Sequence, residues 1–127
     1  MSTIGHPLSD LVNLLMPFEM VTAPKDLKLN NNPAFLPKAT PGLPSKSQLM
    51  SWYAEVAGWD PTPDVTWADA FSVYKGAVIM QGIAARYAVR QASSEKAKDY
   101  ADQMPPMGEF AWQVVQRYKS SHETPRL

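Results

Sequence analysis

Between Thr66 and Ser93 the chain has no proline and no adjacent pair of helix breakers, and its apolar residues recur at helical spacing. This stretch limits the fold more than any other. Trp67, Ala70, Phe71, Tyr74, Val78, Ile79, Ile83 and Tyr87 give it a broad apolar face. Thr66 reads as its N-cap, with Asp69 three positions on. At 1.5 Å per residue, a helix of about 26 residues spans roughly 39 Å, the width of a small domain. Every other element must then pack along it. Gly76, Ala77, Gly82, Ala84 and Ala85 are small. Glycine in a helix costs about 1 kcal/mol relative to alanine, so Gly76 and Gly82 predict close approach by another element.

The remaining apolar segments also have helical spacing, and none reads as a strand. The expected fold is all-α, with about five helices and one long proline-rich loop. A first helix is predicted from about Leu8 or Ser9 to Pro17, with a stripe of Leu8, Leu11, Val12, Leu14 and Leu15. Pro7 suits its first turn, where a missing N–H costs nothing, and Asp10 opposes the positive helix end. Residues 17–44 contain six prolines and the run Asn30-Asn31-Asn32, and read as an irregular connection tacked down by Phe18, Met20, Phe35 and Leu36. So long a loop in a compact domain is commonly a lid or a binding loop. The second helix has a capping-box spacing, Ser45 to Gln48, then Leu49, Trp52, Tyr53 and Val56, and a stop at Gly58. Trp59 to Asp64 is expected not to be helical and to form a proline turn. After the long helix, Ser93-Ser94-Glu95 caps a short one that Pro105-Pro106 interrupts. A last helix is predicted from Met107 to Lys119, with residues 120–127 a loose tail.

Twelve basic and twelve acidic residues cancel, and no basic cluster interleaves with aromatics, so nucleic-acid binding is not expected. There is no cysteine, which excludes disulfides, thiolate metal sites and a cysteine nucleophile. No apolar run approaches the 18 or so residues of a membrane span, and no targeting pattern is legible. The default expectation is a cytoplasmic protein.

His6 and Asp10 are the only His–Asp pair close in sequence. A catalytic dyad would need a nucleophile or metal in reach; otherwise both groups fix the turn that opens the first helix. His6 and His122 lie at opposite ends, and the carboxylates have no ligand-set spacing. The six glycines are isolated and form no phosphate loop. Gln81, between Met80 and Gly82, is the least expected polar residue of the long helix, facing either a pocket or solvent.

The stretch Ser2-Thr3-Ile4-Gly5-His6-Pro7-Leu8-Ser9-Asp10-Leu11 resembles the segment after the metal-binding loop in aminoglycoside-phosphotransferase-like small-molecule kinases, in the branch associated with acyl-CoA dehydrogenases. Pro41-Gly42-Leu43-Pro44-Ser45 and the segment from Phe71 to Tyr87, with Gln81-Gly82-Ile83-Ala84-Ala85-Arg86-Tyr87 at its end, look like the same branch. The resemblance covers nearly the whole chain. It implies a two-lobed, protein-kinase-like fold of which residues 1–127 match only the helical C-terminal lobe. It also implies in-line transfer of the ATP γ-phosphoryl to a hydroxyl, with Mg²⁺ held by a catalytic-loop Asn and a metal-loop Asp. This chain has no His-Gly-Asp and no Asp-Trp-Glu, the motifs that carry that chemistry. No catalytic, nucleotide or metal residue carries over, and no cofactor is expected for this chain alone. By resemblance Asp10 is the acid that accepts hydrogen bonds from the catalytic-loop backbone, and His6 belongs to the turn before it.

Two readings follow. In one, the chain is the acceptor-binding lobe of an ATP-dependent phosphotransferase, inactive alone, and begins where a longer protein would already be under way. Its pocket would use Phe18, Tyr53, Tyr74, Gln81 and Arg86, and its acceptor would be a hydroxyl on an acyl-CoA or similar small molecule. In the other, it is a non-catalytic interaction module that pairs with itself or with a missing N-terminal portion through the first helix and the Gly76/Gly82 face.

Overall fold

The computed structural model describes residues 5–122. They form four helices, α1 (Pro7–Met20), α2 (Lys46–Ala57), α3 (Thr62–Ala88) and α4 (Ala97–His122), and no strand is present among them. The all-α expectation therefore holds, with four helices in place of about five. No described helix is long and apolar enough to cross a membrane.

α1 starts where the sequence places it. Pro7 occupies the first turn, and His6 caps the helix by accepting the Leu8 N–H on Nδ1 at 3.2 Å. It does not stop at Pro17 but runs to Met20. Proline removes one helical hydrogen bond, yet the last turn carries Glu19, which is buried, and extends the stripe in which Leu15 is fully buried. The packing of that turn outweighs the missing bond.

The 21–44 connection is ordered by specific contacts. Lys25–Leu27 and Pro33–Phe35 each form a single 3-10 turn. Gln103 of α4 accepts the Asn30 N–H at 2.7 Å and donates to the Lys28 carbonyl at 3.4 Å. The connection's own Ala23 and Leu29 are buried in the cluster that α3 and α4 form. Phe18 and Phe35 meet edge to face at 5.0 Å, as their tacking role predicts.

α2 has the complete capping box at Ser45 and Gln48, and Gly58 ends it in the left-handed region at φ 67°. None of its residues is fully buried; Trp52 and Val56, expected inward, are exposed. α3 begins at Thr62, five residues earlier than the Thr66 cap implied. The Asp60 carboxylate accepts the Thr62 N–H at 2.9 Å, and hydrogen bonding from Thr62, side chain first and then backbone, holds the Asp60 pKa below the usual carboxylate range. Pro63 falls in the first turn, where proline is tolerated. α3 ends at Ala88 rather than near Ser93. Arg90 adopts φ 57°, its N–H reaching the Tyr87 carbonyl at 3.0 Å while Gln91 N–H reaches that of Arg86 at 2.8 Å. This is a Schellman stop built without glycine.

α4 runs unbroken through Pro105-Pro106, where two helices were expected, and continues through Ser120, Ser121 and His122. Those three residues correct the expected loose tail; 123–127 lie outside the described residues. α3 and α4 pack as an antiparallel hairpin, with Ala70 and Val73 against Met107, Phe110, Ala111 and Val114. α1 lies on the other side of α3, and Leu8, Leu11, Val12 and Leu15 meet Val65 and Ala68. Full burial of a side chain such as Leu15 or Phe110 contributes about 1.5–3 kcal/mol.

The largest departure is on α3 itself. Its buried side chains are the small ones, Ala68, Ala70, Ser72 and Val73 among them, with Asp69. Trp67, Phe71, Tyr74, Val78, Ile79 and Tyr87, expected to face inward, are exposed. Small residues let α1 and α4 approach closely on either side, which turns the bulky residues out. Gly76 serves that approach: a Cβ there would lie 3.1 Å from the Met16 methyl and 3.3 Å from that of Met107. Gly82 does not, since only Arg86 of its own helix comes near.

Candidate functional site

The proline-rich loop borders a cleft of about 880 Å³, open to solvent on one side, with the end of α1, the start of α2 and the first turns of α3. Phe18, Phe35, Leu36, Leu43, Met50 and Val65 make its apolar walls. Glu19, Lys46 and Asp69 also line it. Apolar walls with a few convergent polar groups are the usual make-up of a small-molecule site.

Each charged group is placed by its own element. Glu19 sits in the turn of α1 that Pro17 failed to end. Lys46 is the first residue of α2, delivered by the Ser45 cap. Asp69 lies on the packed face of α3, two turns from its start, and so is no part of a cap. The Lys46 ammonium bridges both carboxylates, reaching Glu19 Oε2 at 3.4 Å and also pairing with Asp69 Oδ2. Arg117 of α4 donates to Glu19 Oε1 at 2.8 Å. Thr22 Oγ1 donates to the Glu19 carbonyl at 2.8 Å, fixing that turn. Glu19 and Asp69 are only 9% and 6% exposed. Burial pushes the Asp69 carboxyl above its ordinary pKa, Lys46 opposes the shift, and the Glu19 charge adds to it. The cluster thus presents a desolvated carboxylate pair and one cation shared between them, able to bind a hydroxyl or amine by charge-assisted hydrogen bonds.

Of the five expected pocket residues, only Phe18 lines this cavity. Tyr53 packs with α1 and α3 and meets Trp59 edge to face at 6.3 Å. Tyr74, Gln81 and Arg86 are exposed on α3, outside the cavity. The structure does not bring these four together with Phe18, because the face of α3 that carries Tyr74 and Gln81 is the one turned to solvent. His6 caps α1 and stacks edge to face on Trp59 at 5.5 Å. Asp10 is exposed in the first turn of α1. Among the described residues no three His, Asp or Glu side chains are grouped closely enough to hold a metal ion. Glu19, Lys46, Asp69 and Arg117 were missed as a site. Asp69 between Ala68 and Ala70, and Glu19 between Phe18 and Met20, were the available signals: lone acids inside apolar helical runs.

No protein-family model matches the chain, and no solved structure matches it significantly. In sequence it is similar to proteins named "Acyl-CoA dehydrogenase family member 11". Identity is 34% over 118 residues for the Mus musculus protein and 32% over 123 for that of Gallus gallus. For the Homo sapiens protein it is 31% over 118 residues. These matches cover 92–95% of the chain, while the chain spans only about 15% of the length of these relatives.

Proposed function

We propose that this chain is the acceptor-binding helical lobe of a phosphotransferase-like protein, and that the cavity under the proline-rich loop receives a small molecule bearing a hydroxyl. The carrying observation is the cavity's composition: apolar walls ending on the Asp69–Lys46–Glu19 cluster. The apolar walls suit an acyl chain, and the carboxylates suit its hydroxyl. The similarity to proteins named for acyl-CoA dehydrogenases favours an acyl-CoA as carrier of that hydroxyl. In this reading ATP and Mg²⁺ are held by parts of a longer protein that carry the His-Gly-Asp and Asp-Trp-Glu motifs, the working compartment is the cytosol, and the lobe alone transfers no phosphoryl group.

Thermal-shift titration tests this. A hydroxyacyl-CoA such as 3-hydroxybutyryl-CoA should raise the melting temperature more than the unsubstituted acyl-CoA, and Asp69→Asn should erase the difference between them. ATP with Mg²⁺ should leave it unchanged. Equal shifts for both thioesters would sink the hydroxyl assignment. Stabilisation by ATP–Mg²⁺ would show that this chain holds a nucleotide site of its own.

A further inference from the structure

The loop wall of the cleft contains two successive turns built alike. Leu36-Pro37-Lys38-Ala39 is closed by the Ala39 N–H donating to the Leu36 carbonyl at 3.0 Å. Thr40-Pro41-Gly42-Leu43 is closed by the Leu43 N–H donating to the Thr40 carbonyl at 3.2 Å. Proline in second place followed by a positive φ makes each a type II turn, whose third place favours glycine. The second turn has Gly42 there, at φ 84°. The first has Lys38, at φ 63°, where a lysine side chain costs stability. Lys28 and Arg90 also have positive φ, but each ends a helical turn and neither lines the cleft. Lys38 does line it. The other charged residues of the cleft, Glu19, Lys46 and Asp69, are paired with one another and with Arg117, so two acids and two bases cancel. Lys38 forms no ion pair among the described residues. The cleft therefore holds one uncompensated cation, at a position where glycine would be the more stable choice.

We infer that Lys38 is a specificity-determining residue of this cleft, and that its ammonium holds a phosphate group on the carrier end of the ligand. The choice of ligand rests on the acceptor reading given above; the role of Lys38 does not depend on the hydroxyl. The helix walls end on carboxylates, the apolar side chains of Phe35, Leu36 and Leu43 stand on the loop side, and the cation stands among them. A molecule with a hydroxyl at one end, an apolar stretch and an anion at the other end complements all three. A hydroxyacyl thioester of a phosphorylated carrier has these parts in that order. A ligand without the anion leaves Lys38 unpaired. The ammonium is exposed, so solvent and salt screen the contact, and it contributes about fivefold in affinity at low ionic strength.

Calorimetric titration of the full chain at about 0.01 M salt tests this, with 3-hydroxybutyryl-CoA and the phosphate-free 3-hydroxybutyryl-pantetheine as probes. The CoA thioester should bind about fivefold more tightly. Lys38→Gln and Lys38→Gly should remove that preference and leave affinity for the pantetheine thioester unchanged, whereas Lys38→Arg should keep it. Lys28→Gln, which removes a lysine of the same loop and the same backbone region but outside the cleft, should also keep it. Lys38→Gly should raise the melting temperature of the unliganded chain by about 3 °C, because the strained side chain is gone. A phosphate preference that survives Lys38→Gln, or that falls equally in Lys28→Gln, would overturn the inference. So would a loss of stability in Lys38→Gly, which would give the lysine a structural purpose. Butyryl-CoA and butyryl-pantetheine separate this inference from the acceptor reading. A Lys38-dependent phosphate preference with no preference for hydroxybutyryl over butyryl would sink the acceptor reading and leave Lys38 in its role. A hydroxyl preference with no dependence on Lys38 would do the reverse, and failure of every thioester to bind would overturn both.

Discussion

Lys46 holds together more of this molecule than its position at the start of an exposed helix suggests. Its ammonium is the cation shared by two nearly buried carboxylates, and only Glu19 has a second partner, Arg117. The Lys46, Glu19 and Asp69 side chains are 23%, 12% and 8% exposed, so solvent screens the pairs only weakly. Removing one member of such a group leaves a desolvated charge uncompensated, which costs about 3–5 kcal/mol in fully buried cases. Asp69 can take up a proton instead, which limits the loss. Lys46→Met should therefore destabilise by about 2 kcal/mol at neutral pH, read as a lower urea midpoint. The double variant Lys46→Met, Asp69→Leu should recover most of that loss, because an apolar pair replaces an ionic one and Glu19 keeps Arg117. If the double variant were as unstable as the sum of the single changes, the Lys46–Asp69 pair would not be the source of the effect.

Among the elements, α4 shows where local reading and tertiary packing part. Pro105-Pro106 predicts a break, since each proline lacks the N–H that would reach back one turn. The helix passes through them because residues on both sides, Ala97 before and Met107, Phe110, Ala111 and Val114 after, are committed to burial. A break would cost that packing along α3. The prolines are thus tolerated at the expense of local stability. Pro105→Ala with Pro106→Ala should raise global stability by roughly 2 kcal/mol, less than the full cost of two interior prolines because the replaced residues also gain freedom when unfolded. Hydrogen exchange at residues 101–109 should slow in parallel. Lower stability in this variant would mean that the prolines impose a bend on which the α3 packing depends. Pro17 in α1 is the same case, and for the same reason the sequence placed both boundaries wrongly. Where the residue itself fixes a boundary, through the capping side chains of Ser45 and Gln48 or the left-handed backbone of Gly58 in α2, the sequence placed it correctly.

At the scale of the whole molecule, the helical class and the α1 stripe, apart from Leu14, which is 67% exposed, were legible because period and capping are local properties. Which face of α3 turns inward was not, because Trp67, Phe71 and Tyr74 outrank Ala68, Ala70 and Ser72 in hydrophobicity. The choice was made by how closely α1 and α4 can approach. The candidate site was hidden for a related reason: Glu19, Lys46, Asp69 and Arg117 come from four helices, and Glu19 and Arg117 are 98 positions apart. What that site costs the fold can be read from pH. Burial raises the Asp69 pKa in the folded chain, with Lys46 and Arg117 opposing and Glu19 reinforcing. Between its ordinary pKa and the raised one, the folded state holds a proton that the unfolded state has lost, so stability from this group is complete below that window and is lost as pH rises through it. Asp60 acts in the opposite sense, its pKa being lowered by the Thr62 hydrogen bonds, so stability from that group is lost as pH falls. The wild-type profile mixes the two, whereas comparison with Asp69→Asn isolates one. The stability of Asp69→Asn relative to wild type should increase as pH rises from about 4 to 7, measured as the difference in urea midpoint at each pH. A difference that stays constant, or shrinks as pH rises, would mean that the Lys46 pairing outweighs burial and that Asp69 is a stabilising carboxylate at neutral pH.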